Sequence, residues 1–280
     1  MLERIYLEIT NVCNLDCSFC HKTARSKRMM SREEFDLLLA KIKGKARHLF
    51  FHLMGEPTLH PELPAFIRAA RERGFLPSIT TNGSLLSKRG AELLEVLPYK
   101  ISVSLHAPEA NAAFSDDGYL DTCIAFAKEA AARGCIMALR LWNLGSGADN
   151  TPILKALHAA FPGEWGGRRD GSNHRLGERI FLEWGERFDW PDLSAPECAP
   201  DADRFCYGLR TQIGILADGT VVPCCLDADG TLALGNLFDE ELDEILSSAR
   251  AKAIYEGFSC RRAVEPLCRK CGYATRFSIQ

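Results

Sequence analysis

The 280-residue chain has no run of about 18 apolar residues, so no segment is built to span a membrane as a single helix. It lacks an excess of either charge. With 34 Lys and Arg against 37 Asp and Glu the net charge is -3, which argues against a broad surface for nucleic acid or anionic lipid. It also lacks an apolar leader, because charged residues follow directly on Met1 and Leu2. At this length and without a leader, 12 cysteines do not read as the disulfide frame of a small secreted protein. The expectation is a cytoplasmic protein whose reduced thiols bind metal, long enough for one large domain and a small one. One local basic run, Lys22, Arg25, Lys27, Arg28 and Arg32, reads as a solvated loop face.

Three cysteines, Cys13-x3-Cys17-x2-Cys20, share one short loop directly after the first strand-like segment. Three thiolates can hold three irons of a [4Fe-4S] cube, and no fourth cysteine follows at short range, so one iron is left open. A zinc site would ordinarily use two paired arms. With Phe19 before the third cysteine, the loop reads C-x3-C-x-aromatic-C and closely resembles the signature of the radical SAM superfamily. The resemblance implies that the amine and carboxylate of S-adenosylmethionine (SAM) coordinate the open iron.

From residue 1 to about 190, short apolar or β-branched runs alternate with helical stretches, the pattern of βα units around a parallel sheet. Strands are predicted at 5–10, 49–54, 77–81, 100–106, 136–142 and 179–184. Ser31 and Glu34 form a capping box ahead of one helix, and a second runs from about 61 to 73 and stops at Gly74. Further helices fit 88–97, 119–133 and 152–161. Six such units make an incomplete barrel, and the resemblance points to the same α/β fold, a partial (β/α)6 radical SAM barrel.

Strands buried on both faces of a parallel sheet read as nearly continuous apolar runs; these do not. Residues of one parity are Tyr6, Glu8, Thr10, His52, Ser78, Thr80, Asn82, Ser102, Ser104, His106, Arg140, Trp142 and Glu183. The other parity holds Ile5, Leu7, Ile9, Ile79, Ile101, Val103, Leu105, Leu139, Leu141 and Leu182. The apolar set is expected to face helices, and the polar set to line a cavity whose chemistry lies at the strands' C-terminal ends.

Met54-Gly55-Glu56-Pro57 resembles the superfamily's G-G-E-P motif with methionine at the first glycine, which implies that Gly55 and Glu56 meet the methionyl ammonium. Thr80-Thr81-Asn82-Gly83 is similar to the T-N-G turns of SPASM-type relatives and places Asn82 with the cofactor; a plain strand-to-helix connection accounts for it equally well. Ser104 and Arg140 are placed for the SAM ribose and carboxylate. An inward arginine needs an anion or an acid, and Glu8 or Glu183 are the alternative partners. His106 or Glu183 is expected to take the substrate proton, ahead of the deeper His52.

A proline-rich, acidic linker at about 189–200 separates residues 1–190 from a second unit, 198–280. A hairpin is predicted over 211–216 and 220–224 across Asp218-Gly219, and a helix over about 239–255. So small a unit needs a metal to help it fold. Cys206-x12-Gly219-x4-Cys224 resembles the first half of the SPASM motif, and Gly235-Asn236-Leu237 the stretch before its helix. Cys268-x2-Cys271 is present, but Phe277 stands where a full SPASM domain continues with cysteine. Cys206, Cys224, Cys268 and Cys271 then resemble the shorter twitch form with one auxiliary [4Fe-4S] cluster; a zinc ribbon on the same four thiolates is the rival. Cys198, Cys225 and Cys260 are spare, and Cys123 and Cys135 are small core residues.

The resemblance implies an enzyme with two [4Fe-4S] clusters and SAM, reduced by flavodoxin or ferredoxin, that forms a 5′-deoxyadenosyl radical and abstracts hydrogen from its substrate. The reading taken is oxidation of a small polar metabolite, an alcohol becoming a carbonyl. The alternative is a maturase acting on a ribosomally made peptide. No recognition domain precedes the first strand, as it does in many peptide-modifying relatives, although a separate protein could supply that docking. A non-enzymatic iron–sulfur scaffold would need neither Met54-Gly55-Glu56-Pro57 nor an inward Arg140.

Overall fold

The computed structural model describes residues 2–111, 114, 118–167, 173–198 and 204–277. Its first part runs β1 (Arg4–Leu7), α1 (Arg32–Ile42), β2 (His48–Phe50), α2 (Leu63–Glu72), β3 (Leu76–Thr81), α3 (Leu86–Val96), β4 (Lys100–Ser104), α4 (Tyr119–Ala132), β5 (Ile136–Leu144) and α5 (Thr151–Ala160). Then come β6 (Gly166–Gly167), β7 (Asn173–Gly177) and β8 (Ile180–Glu186). β1, β2, β3, β4, β5 and β8 pair in parallel in that order and correspond to the six predicted strands. The helices between them also fall where the periodicity puts them. Ser31 and Glu34 close the capping box at the start of α1, satisfying two amide groups that the first turn leaves without partners. All ten outward apolar residues are buried. The antiparallel β6–β7 hairpin beyond β8 was not anticipated, because Gly166-Gly167 and the polar β7 carry no apolar alternation.

The second part contributes β9 (Gln212–Ile215), β10 (Thr220–Val222), β11 (Gly235–Asn236), α6 (Leu242–Ser247), α7 (Ala249–Ser259) and α8 (Pro266–Arg269). β9 and β10 form the predicted hairpin. Gly219 turns it with φ +83, and a Cβ there would lie 2.6 Å from Asn236 Oδ1. The single helix expected over 239–255 is two, because Ser248 is extended and its hydroxyl caps α7 at the Ala251 amide. β9 pairs in parallel with β1, Arg4 to Leu7 against Gln212 to Ile215, so one 11-stranded sheet carries both parts. Among the described residues no helix is long and apolar enough to cross a membrane.

Candidate active site

Beyond β1 the chain turns into the loop of Cys13, Cys17 and Cys20. Burial, followed by the charges of Cys13 and Cys20, pushes the Cys17 thiol up to about 11; burial also raises Cys13 and Cys20. Thiols that hold one another protonated in this way are relieved when iron takes them as thiolates, so the donor set fits a cluster. The Leu15 amide donates to Cys13 Sγ at 3.5 Å, and the Ser18 amide to Ala110 O at 2.9 Å, which fastens the loop to the chain leaving β4.

The basic run behind this loop is a solvated face only in part: Lys22 and Lys27 are exposed, but the arginines are paired. Arg25 Nη2 donates to both oxygens of Glu8, at 2.7 and 2.8 Å. Arg28 Nε donates to Ala217 O at 2.9 Å, Arg28 also pairs with Glu34, and Arg32 Nε donates to Asp36 at 2.7 Å. Glu8 is fully buried and also accepts the amides of Met54 at 3.1 Å and Ala217 at 3.2 Å. One carboxylate therefore joins β1, the cluster loop, the turn after β2 and the hairpin of the second part.

That turn, residues 54–57, abuts the end of β1. Gly55 has φ +75, and a Cβ there would lie 2.4 Å from Thr10 O, so only glycine fits. Glu56 is buried with both oxygens engaged: Oε1 by the Thr58 amide and hydroxyl at 3.0 and 2.7 Å, Oε2 by the Asn82 amide at 2.7 Å. It ties the turn after β2 to the turn after β3. Asn82 Nδ2 reaches Asn14 Oδ1 at 3.1 Å, beside Cys13.

Ser104, Arg140 and Glu183 are register partners across β4, β5 and β8. The Arg140 guanidinium lies 3.6 Å from the ring centre of Trp142, and its Nε 3.7 Å from Glu183 Oε2. Lys100 Nζ holds Glu183 Oε1 at 2.6 Å. The acid beside Arg140 is thus Glu183, shared with Lys100, whereas Glu8 belongs to Arg25.

His106 Nδ1 lies 3.1 Å from Arg140 O. The Trp142 amide also points at Nδ1, at 3.4 Å; the shorter contact is to a carbonyl, which only accepts, so we assign the proton to Nδ1, which leaves the Nε2 lone pair free. Burial, with Arg140 nearby, lowers His106 to about 4 and His52 to about 3, so both rings are neutral at pH 7.

Tyr6, His52, Ser104, His106, Arg140 and Trp142 form one wall of a cavity of about 690 Å3, which Phe19 of the cluster loop also lines. Glu183 does not line it. Cys206, Cys224, Cys225, Cys268 and Cys271 line the same cavity. Aromatic rings from the linker and the C-terminal residues, Phe188, Trp190, Tyr207, Tyr273 and Phe277, pack around it. Neither this rim nor the Glu8–Arg25 node has a motif; only the inward parity of Glu8 hinted at it.

The Cys224 thiol is pushed well up by burial and then by Cys206, Cys225, Cys271 and Cys268; Cys271 rises to about 11 by burial, with Cys206 and Cys198 adding to it. Burial and then Cys206 and Cys271 also raise Cys268. Among the described residues no three or more His, Cys, Asp or Glu side chains close round a single-ion site. The four thiols line one cavity and oppose one another's ionisation, as thiols gathered for a metal centre do. Cys225 is half-buried, and its removal from water raises it to about 11; Cys260 is exposed at the end of α7, and Cys123 and Cys135 lie in the core.

A family model of the radical SAM superfamily matches residues 7–134, and a SPASM model, described as an iron–sulfur cluster-binding domain, matches residues 206–272. The tungsten-containing aldehyde ferredoxin oxidoreductase cofactor-modifying protein of Pyrococcus furiosus is 37% identical over 95 residues, 31% of this chain and 25% of that protein. A probable GTP 3′,8-cyclase of Sulfurisphaera tokodaii is 37% identical over 110 residues, 38% of this chain and 35% of the cyclase. The chain thus spans a quarter to about a third of the length of these relatives. In fold it is similar to BtrN in complex with AdoMet and 2-DOIA, with TM-score 0.61, 17% identity and coverage of 97% of this chain and 93% of BtrN. It is also similar to Streptococcus suis SuiB bound to S-adenosylmethionine, with TM-score 0.63, 18% identity and coverage of 97% and 72%. A [4Fe-4S] cluster and SAM go with the first family and further iron–sulfur binding with the second. The three-cysteine loop, the turn at Gly55 and the four converging thiols lie inside the matched segments, and the chain carries a radical SAM domain followed by a SPASM domain, the pairing of the radical SAM SPASM/twitch subgroup.

Proposed function

We propose that this protein reductively cleaves SAM and uses the 5′-deoxyadenosyl radical to take a hydrogen atom from a small polar metabolite, oxidising an alcohol to a carbonyl. One observation carries the reading: Ser104, His106 and Arg140 of the barrel mouth and the four cysteines of the second part line a single cavity. A substrate between them is within reach of both hydrogen abstraction and an electron acceptor. The cavity of about 690 Å3 must also take the auxiliary cluster and part of SAM, so the space left is that of a small substrate such as a sugar or cyclitol rather than a large one. BtrN, solved with AdoMet and 2-DOIA, is matched over 93% of its length and supports the same choice.

When bound, the first cluster and SAM supply one electron, drawn from reduced flavodoxin or ferredoxin, and the hydrogen-abstracting radical. Cys13, Cys17 and Cys20 would hold three irons. Gly55, whose missing side chain makes room for Thr10 O, holds the turn against the chain leaving β1, where its backbone would meet the SAM ammonium, and Glu56 acts by locking that turn to Asn82. Ser104 and Arg140 would meet the ribose and carboxylate, with Glu183 and Lys100 keeping the guanidinium in place.

Removing a hydrogen atom from a carbinol carbon leaves a radical; the carbonyl forms when one more electron and the hydroxyl proton depart. Cys206, Cys224, Cys268 and Cys271 would hold the electron acceptor, and His106 Nε2 takes the proton. The aromatic rim excludes water. The second reading, a peptide maturase, is favoured by that rim, which also suits peptide side chains, and by SuiB having been solved with its precursor peptide SuiA.

The test uses protein reconstituted without air, a strong reductant, SAM and alcohols deuterated at the carbinol carbon. The expected result is deuterium in 5′-deoxyadenosine with an equal amount of carbonyl product. Failure to release any 5′-deoxyadenosine overturns the radical chemistry, and label transferred only from peptides moves the reading to the maturase.

A further inference from the structure

The segment directly behind Cys20 is held from the second part of the chain. Asp229 lies five positions after Cys224 in the turn that follows the hairpin. Its Oδ2 is 2.8 Å from His21 Nε2, and its Oδ1 accepts the Thr23 hydroxyl at 2.7 Å and the Ala24 amide at 2.8 Å. Ala228 O, one residue earlier, accepts Arg25 Nε at 2.8 Å. Four polar groups of the cluster loop thus end on two consecutive residues of the SPASM-type module.

The turn is shaped for this. Asp227 is buried and accepts the amides of Thr231 and Leu232 at 2.9 and 2.8 Å, which closes the 227–232 turn under Asp229. The loop has no comparable order of its own: no helix or strand forms between Cys20 and the isolated bridge of Met29 to Thr10. Its far end is tied to the barrel, where Asn11 Nδ2 donates to Ser26 O at 2.9 Å and the Arg28 amide to Asn11 Oδ1 at 2.7 Å. Its near end, beside the ligand Cys20, is held by Asp229 together with the Arg25–Glu8 pair, the Lys22–Asp16 pair at 2.8 Å and Trp190, whose Nε1 donates to Phe19 O at 3.1 Å.

We propose that Asp229 is a positioning residue for the open-iron cluster: through His21, Thr23 and Ala24 it fixes the segment behind Cys20, so the order of the first site depends on the folding of the module that holds the second. Charge-assisted bonds to backbone and hydroxyl are strong enough to set the opening equilibrium of a loop with no ladder of its own. A disturbance at the second site then reaches the first through the protein chain, with no contact between the two clusters.

Two measurements test this. The first needs no iron: the thiol-reduced full-length chain is treated briefly with trypsin, and cleavage after Arg25, whose side chain is only 15% exposed, is read by mass spectrometry. Asp229→Ala is expected to raise that cleavage about tenfold or more, Thr23→Val about threefold, and Asp229→Asn, which keeps an acceptor, less than Asp229→Ala. Cleavage after Lys128 in α4 should not change. If Asp229→Ala speeds cleavage everywhere, Thr23→Val, which leaves the second module untouched, decides.

The second measurement is the electron paramagnetic resonance signal and reduction potential of the first cluster, with SAM, in the loaded protein. Asp229→Ala should alter both and leave the second cluster's signal as it was, with Asp229→Asn restoring them. Arg25 cleavage within about twofold of wild type in both Asp229→Ala and Thr23→Val overturns the proposal. So does a first-cluster signal that Asp229→Ala leaves unchanged. Loss of the radical chemistry without either change would count against the proposed function instead.

Discussion

Removing Arg25 isolates a carboxylate at the centre of the molecule. Glu8 has no solvent exposure, and the guanidinium supplies its only opposite charge among the bonds described, together with the amides of Met54 and Ala217. Taking one partner from a buried pair costs about 3–5 kcal/mol, because the remaining charge is neither hydrated nor compensated. For a chain of this size that is roughly 6–20 °C in melting temperature. Arg25→Ala should therefore melt roughly 10 °C lower than wild type at about pH 8, followed by circular dichroism on cluster-loaded protein under argon.

The pH dependence carries the physical reasoning further. Burial raises the Glu8 pKa above the ordinary carboxylate range even though Arg25 opposes it. A raised folded pKa means that the folded protein binds the proton more tightly than the unfolded chain, so stability is lost as pH rises through it. Without Arg25 that pKa rises further. The gap between Arg25→Ala and wild type should be smaller at about pH 6 than at about pH 8, where the carboxylate must stay charged. Glu8→Gln in the Arg25→Ala background should recover much of the loss, since the uncompensated charge is gone. A gap under about 3 °C at the higher pH, or one that widens toward acid, would refute the reasoning.

Cys13/Cys17/Cys20→Ala should keep about four of about eight irons after anaerobic reconstitution, counted by iron assay; zinc at the remaining thiolates would contradict the second cluster. His106→Ala should still release 5′-deoxyadenosine but form product about 100- to 10,000-fold more slowly, and Glu183→Gln should affect SAM affinity through Arg140 more than product yield; a wild-type product ratio in His106→Ala would remove it as the base. His52 and His106 are neutral in the folded protein, with pKa values of about 3 and about 4, and ordinary when unfolded. Their contribution is intact above about pH 6.5 and is lost as pH falls toward about 4, so His106→Gln should flatten the decline of melting temperature across that window. Gly55→Ala should lower SAM affinity and stability together, because its methyl group collides with Thr10 O.

Much of this protein is legible in the sequence because its signals are local. Strand parity separates Ile5, Leu7 and Ile9 from Tyr6, Glu8 and Thr10, and the apolar set is buried as that alternation requires. The capping box at Ser31 depends on four consecutive residues, and the cysteine spacings on single loops. What the tertiary structure alone decided are the long-range pairings. Arg25 belongs to Glu8, 17 positions away, and Asp229 to Thr23, 206 positions away. A charge run carries no record of the partners that burial will assign it. The same holds for Glu183, whose inward parity was readable but whose Oε1 is taken by Lys100 of β4, two strands away. It holds too for the joining of β9 to β1, which makes one sheet of two segments that a proline-rich linker separates, because backbone ladders have no side-chain code.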